Sequence, residues 1–186
     1  MRATVFAYPA TLTRGSDGRL LVCFRDFPEA LTDGETEEDA LYEASDALSE
    51  ALMSRIADGE DVPDPSPVGL NEYQIAPDAT VALKVALQSA LKEKRATTAD
   101  LSRLLHVDHK EARRLLDPHE ASKVPRLVEA LRALGYSVTT AIYDAGKRER
   151  ILSQPGAPRR TAVKSRKGIK AGLVGAAGPR GAMGRR

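Results

Sequence analysis

Apolar and polar residues alternate along the first stretch of the chain. Tyr8, Ala10 and Leu12 interleave with Pro9, Thr11 and Thr13, the turn GSDG follows, and Leu20, Val22 and Phe24 repeat the alternation. Period two on both sides of a glycine-bearing turn predicts two antiparallel strands with one buried face. Pro9 fits only at a strand start or an edge, because it cannot donate to a ladder. FPEALTDG turns the chain and allows a short third strand around Ala30 to Thr32.

The period then becomes helical. Thr36 with Asp39 three residues on makes a capping-box pair, and the acidic turn Glu37, Glu38, Asp39 suits the positive end of a helix. Leu41, Ala44, Leu48, Leu52 and Ile56 form the apolar stripe of a helix that Gly59 stops. VPDPSPVG excludes helix, and NEYQI supplies one more strand before Pro77, closing a β-β-β-α-β unit.

Beyond it only helical spacing is found until residue 136. Asp78 caps a helix carrying Leu83, Leu87, Ala90 and Leu91. Thr97 and Asp100 form a second capping-box pair, opening a short helix with Leu101, Leu104 and Leu105. Asp108 and Glu111 repeat the device for a helix from about His109 to Leu116, with Ala112, Leu115 and Leu116 inward. Pro118 ends it, and Ser122 is expected to cap a fourth helix with Pro125 in its first turn and a stripe of Val124, Leu127, Val128, Leu131 and Leu134. SVTTAIY then reads as a strand. The last 40 residues hold 7 of 14 glycines, 3 prolines and no aromatic, a composition expected to stay disordered.

The predicted class is therefore α+β, in three parts: a small β-β-β-α-β domain over 1–76, an all-α helix-turn-helix domain over 77–146, and a disordered basic tail over 147–186. Charge sharpens this division. The 186 residues carry a net charge of only +2, yet residues 1–78 hold 5 basic and 17 acidic side chains, residues 79–146 hold 11 and 8, and residues 147–186 hold 12 and 1. An acidic unit repels nucleic acid and attracts basic proteins, and a basic one does the reverse, so the segments call for different partners. No apolar run approaches the roughly 18 to 20 residues that span a bilayer, and the N-terminus lacks the order of a signal peptide, which points to a cytoplasmic protein without membrane partners.

The motif that carries chemistry is TTADLSRLLHVDHKEARRLLD, Thr97 to Asp117. A helix-turn-helix needs a small residue at the close crossing, a short turn, and a second helix with a polar, basic outer face to enter the major groove. Ser102 is the small residue, and His106-Val107-Asp108 make the turn with Val107 plugging the core. His109, Lys110, Glu111, Arg113 and Arg114 form the outward set. His109, Lys110 and Arg113 are the candidates for base edges, and Arg103 and Lys123 for phosphates. His106 replaces the usual turn glycine and must meet or avoid a left-handed backbone, which His tolerates better than most residues.

Other chemistry is not supported. His106, His109 and His119 match no zinc spacing. Asp17, Asp26, Asp33 and Asp39 fall in turns and caps, where Asp serves local hydrogen bonding. No catalytic residue, metal site or cofactor is predicted. The single Cys23, in a strand-like run, reads as a buried, inert thiol.

The string YPATLTRGSDGRLLVCFRDFPEALTDGETEEDALYEASDALSEAL, followed by DGEDVPDPS, resembles the N-terminal domain of HicB antitoxins from type II toxin-antitoxin systems. ADLSRLLHVDHKEARRLLDPHEASKVPRLVEALRALG resembles the Cro/repressor-type helix-turn-helix of one branch of that family. Together they cover about residues 8 to 143 in the family's order. The resemblance implies a partial ribonuclease-H-like fold without that enzyme's activity for the first domain, and as partner HicA, a small basic ribonuclease toxin whose active surface is covered. The family's FPE-TDGET segment falls on Phe27, Pro28, Glu29, Thr32, Asp33, Gly34, Glu35 and Thr36, which makes Asp26, Phe27, Glu29 and Asp33 the expected toxin contacts; the alternative is a structural turn with Phe27 in the core. It also implies a transcriptional repressor that binds its own operator DNA as a homodimer or higher even oligomer. The competing readings are a stand-alone transcriptional regulator with a sensing domain and a metal-dependent nuclease.

Overall fold

The computed structural model describes residues 4–141. The basic tail, 147–186, and the end of the expected 137–143 strand lie outside them. The elements are β1 (Tyr8–Arg14), β2 (Leu20–Phe24), β3 (Leu31–Gly34), α1 (Glu37–Ala57), β4 (Glu72–Ile75), α2 (Ala79–Lys94), α3 (Thr98–Leu105), α4 (His109–Leu116) and α5 (Val124–Ala133). The class is α+β: one four-stranded antiparallel sheet, in the order β3-β2-β1-β4, and five helices.

The period-two pattern sets the sheet's faces. Ala10 pairs with Phe24 and Tyr73, and Tyr8 with Ile75, so these side chains line the face that α1 covers. Pro9 precedes the pairing of β1 with β2, so it lies where β1 has a neighbour only on the β4 side. Two details depart from expectation. Cys23 is only partly buried, because Val22 and Phe24 take the inward positions and turn it outward between Thr11 and Leu31. The third strand starts at Leu31, since the Ala30 N–H is used in a turn to Phe27 O at 2.9 Å.

Thr36 caps α1 through Asp39 N, and all five residues of the expected stripe are buried. Gly34 is required where β3 turns into α1: a Cβ there would lie 2.3 Å from Ala40 N and 2.6 Å from Ala40 Cα, closer than any side chain can sit.

Two apolar cores result. The first joins the sheet, α1 and the N-terminal half of α2 through Val81 and Val85. The second joins Leu87, Ala90 and Leu91 of the same helix to α3, α4 and α5. Expectation fails at three places in this half. Val124, expected in the core stripe of α5, is exposed, because it stands at the first position of the helix, ahead of the buried Leu127, Ala130 and Leu131. Residues 137–141 form no strand; no sheet edge among the described residues pairs with them, and Val138 packs against the second core instead. Lys123, not Ser122, is the N-cap of α5, without a side-chain bond. Pro125 removes one donor and the Lys123 carbonyl accepts from Arg126 N and Leu127 N at 2.9 and 3.3 Å, which leaves Ser122 nothing to cap. No helix among the described residues is long and apolar enough to cross a membrane.

Candidate functional site

Local hydrogen bonds fix the α3–turn–α4 unit before packing does. Thr97 Oγ1 accepts from Asp100 N at 3.2 Å while the Asp100 carboxylate accepts from Thr97 N at 2.7 Å, a reciprocal capping box. The Thr97 hydroxyl, which donates to Asp100 Oδ2 at 2.6 Å, and the Thr97 N–H hold the Asp100 carboxyl below its usual pKa. His106 takes the left-handed conformation that the sequence posed as the alternative, at φ 54° and ψ 42°. Ser102 completes the turn, accepting from Val107 N through its carbonyl at 3.1 Å and donating its hydroxyl to Val107 O at 2.6 Å. Asp108 then caps α4 by accepting from Glu111 N at 2.7 Å.

Leu101, Leu105, Ala112 and Leu115 are buried, so the opposite side of α4 faces solvent with His109, Lys110, Glu111, Arg113 and Arg114. These expected site residues divide into two groups. His109, Lys110 and Arg113, together with Lys123, are exposed and make no ion pair among the described residues. The other three are engaged. Arg103 pairs with Asp100 at 2.6 Å and Arg114 with Glu120 at 3.2 Å. Glu111 Oε1 accepts from Nη2 and Nε of Arg126 on α5 at 2.7 and 3.1 Å, and Arg126 also reaches Glu129 at 2.5 Å. Glu111 thus ties α4 to α5, a role that spacing along one helix could not disclose. The two carboxylates raise the Arg126 pKa further.

The acidic half shows the same division. Asp26 accepts from Ser66 Oγ and Ser66 N at 2.6 and 2.8 Å. Glu29 accepts from Arg55 Nε at 2.6 Å, and that hydrogen bond lowers its pKa. Asp33 pairs with Arg19. Phe27 is fully buried: it meets Tyr8 edge to face at a centroid distance of 4.8 Å, and the Arg55 guanidinium lies 4.8 Å from its ring centre. Phe27 therefore belongs to the core and supports the surface from beneath. Burial, with the nearby Asp26 and Asp64, pushes the Tyr8 phenol up to about 12, and its hydroxyl donates to Pro63 O at 3.0 Å. Glu38, Glu43, Asp46 and Glu50 remain as exposed acids of α1 outside any ion pair among the described residues.

A group of three or more metal-ligating side chains does not occur among the described residues, so His106, His109 and His119 do not converge there. Sequence reasoning missed Lys84 altogether. It is 2% exposed, and its only signal was a cation on the apolar face of α2 beside Val81 and Leu87.

A family model described as the HicB_like antitoxin of bacterial toxin-antitoxin system matches residues 7–86. "Antitoxin HicB" of Escherichia coli (strain K12) is 38% identical over 128 residues, covering 69% of this chain and 93% of the relative. The chain belongs to the HicB antitoxin family. "Antitoxin HicB 1" of Photorhabdus laumondii subsp. laumondii is 36% identical over 135 residues, 73% of this chain and 86% of its own length. The family match runs through the sheet, α1 and the first half of α2. In this HicB-family chain it therefore ends just after Val85, the last residue that α2 gives to the first core.

Proposed function

We propose that this protein is the antitoxin of a type II pair: its acidic half binds and neutralises a HicA-type mRNA-cleaving toxin by covering the toxin's active surface, and its helical half represses its own operon. The observation that carries this reading is the separation of unpaired charge. Among the described residues, exposed carboxylates of α1 lie outside any ion pair on one core, and His109, Lys110 and Arg113 do so on another. Complementary potential accelerates encounter with a basic toxin and fixes its orientation. The acids nearest the family segment, Asp26, Glu29 and Asp33, are held by internal partners, so they shape the toxin-facing surface and the α1 acids supply its field. The β-β-β-α-β arrangement fits a partial ribonuclease-H-like domain that binds and does not cleave.

In the same reading, α3 and α4 form a Cro/repressor-type helix-turn-helix. Lys110 and Arg113 read base edges, and Lys123, Arg114 and Arg103 approach phosphates. A homodimer would place two recognition helices about 34 Å apart on one DNA face, which requires a palindromic operator. The protein acts in the cytoplasm.

Co-expression with a neighbouring basic HicA-type protein is the test. Relief of that protein's growth arrest together with co-purification is the expected result. An intact complex that fails to form, or RNA cleavage by the purified chain alone, would overturn the proposal.

A further inference from the structure

α4 ends without the usual device for satisfying its last carbonyls. A glycine in the left-handed conformation normally closes a helix by returning its N–H groups to the final turn. Here the C-cap is Asp117, extended at φ −72° and ψ 119°, followed by Pro118, which has no N–H to return. Its own N–H reaches Arg113 O at 3.0 Å. The carbonyls beyond are satisfied from α2. Gln88 Nε2 donates to Leu116 O at 3.1 Å, and the Lys84 ammonium donates to Asp117 O and, at 2.6 Å, to Glu120 O.

A buried ammonium is costly unless its donors are matched, and burial does lower the Lys84 pKa. What offsets the cost is its position at the negative end of α4, where main-chain carbonyls point at it and the charges of Asp117 and Glu120 are near. The segment it holds, 117–123, carries Glu120, which fixes Arg114 at 3.2 Å, and ends at Lys123. Lys84 also lies within a turn of Val81 and Val85, which belong to the first core.

We infer that Lys84, assisted by Gln88, is a positioning residue for DNA recognition: it caps α4 from a neighbouring helix and so sets where Arg114 and Lys123 meet the phosphate backbone, without touching DNA. The inference rests on the DNA-binding reading above. Its consequence is that the phosphate contacts are referenced to α2, and through Val81 and Val85 to the core of the other half.

The test uses the full chain with Lys84→Met, Lys84→Arg and Gln88→Leu, and a duplex spanning the DNA immediately upstream of its own gene. Lys84→Met keeps the length and the apolar stem but removes the ammonium donor from the Asp117 and Glu120 carbonyls. It is expected to weaken binding about tenfold and to lower the slope of log affinity against log salt by about one to two. Amide exchange in residues 119–123 of the free protein should accelerate. Lys84→Arg should restore part of both effects, and Gln88→Leu should give a smaller loss in the same direction. A purely structural role would lower affinity only in proportion to the unfolded fraction and leave the salt slope unchanged; that outcome overturns the inference, as does a Lys84→Met chain that binds normally. Should Lys84→Met fail to fold, Gln88→Leu with unchanged slope and exchange is the overturning result. Failure of the unaltered chain to bind the duplex is a separate outcome, and it defeats the DNA-binding reading itself.

Discussion

The two halves of the molecule handle charge in opposite ways. In the acidic half, the carboxylates at turns are consumed by architecture: Asp26 holds Ser66, Glu29 holds Arg55 and Asp33 holds Arg19. The excess lies along α1. In the helical half it is the cations that divide. Arg126 braces the first turn of α4 through Glu111 and Arg114 braces the segment after it through Glu120, while His109, Lys110 and Arg113 stay outside the ion pairs of the described residues. Exposed pairs contribute about 0 to 1 kcal/mol each, so they hold geometry more than they stabilise. The lesson is that a charged residue's identity says little about its task; whether the fold has already spent it says more.

The sharpest way to break this comparison is Phe27→Ala. As a fully buried ring against Tyr8 it should cost about 3 to 5 kcal/mol in urea unfolding, and an unchanged midpoint with lost toxin binding would restore it to the partner surface. Next come the unpaired cations. Lys110→Ala and Arg113→Ala should each weaken operator binding by about 1 to 3 kcal/mol, relax preference at one base, and leave thermal unfolding and toxin neutralisation alone. Equal losses on random DNA would place both on phosphate. Alkaline titration probes the acidic half's core. The Tyr8 pKa is raised in the folded state to about 12, so its contribution is fully present below the ordinary value of 10.0 and is lost as pH rises through the folded one. Stability should therefore decline between those values, and Tyr8→Phe should flatten the decline; an identical profile in the variant would remove Tyr8 as its source. The smallest effect is expected for Arg126→Ala. Freeing Glu111 and Glu129 should lower stability by up to about 1 kcal/mol and affect DNA binding far less than Arg113→Ala. A larger DNA effect would show that Arg126 is not merely a brace.

Much of the local structure was legible because its causes are local. Thr36, Thr97 and Asp108 stand directly before the helices they cap, each with an acidic residue three positions on, and the stripe from Leu41 to Ile56 states its own period. His106 could be flagged as the left-handed residue because the turn between two short helices needs one. What escaped depends on residues far apart in the chain. Glu111 looks like part of a groove-facing set until Arg126 arrives from the next helix. Phe27 was open to both a partner-contact and a core reading, and it is Tyr8 and Arg55, distant in the chain, that enclose its ring. Lys84 stands out in the sequence only as a cation on an apolar face until the carbonyls of Asp117 and Glu120, just past α4, come within its reach. The expected strand after residue 136 had the right composition but no described edge to pair with, and propensity alone does not make a sheet. The candidate site was thus readable as a set of residue types, and its working division into free and engaged side chains was not.

The helix α2 carries one further consequence. Because a straight α-helix turns about 100° and advances about 1.5 Å per residue, Val85 in the first core and Leu87 in the second stand in a fixed angular phase. Inserting one residue between them would leave both cores intact in composition yet swing one about 100° relative to the other. Inserting seven would nearly restore the phase while adding about 10 Å. Length variation along this lineage should therefore avoid the middle of α2 or come in near-whole turns, like teeth on a gear.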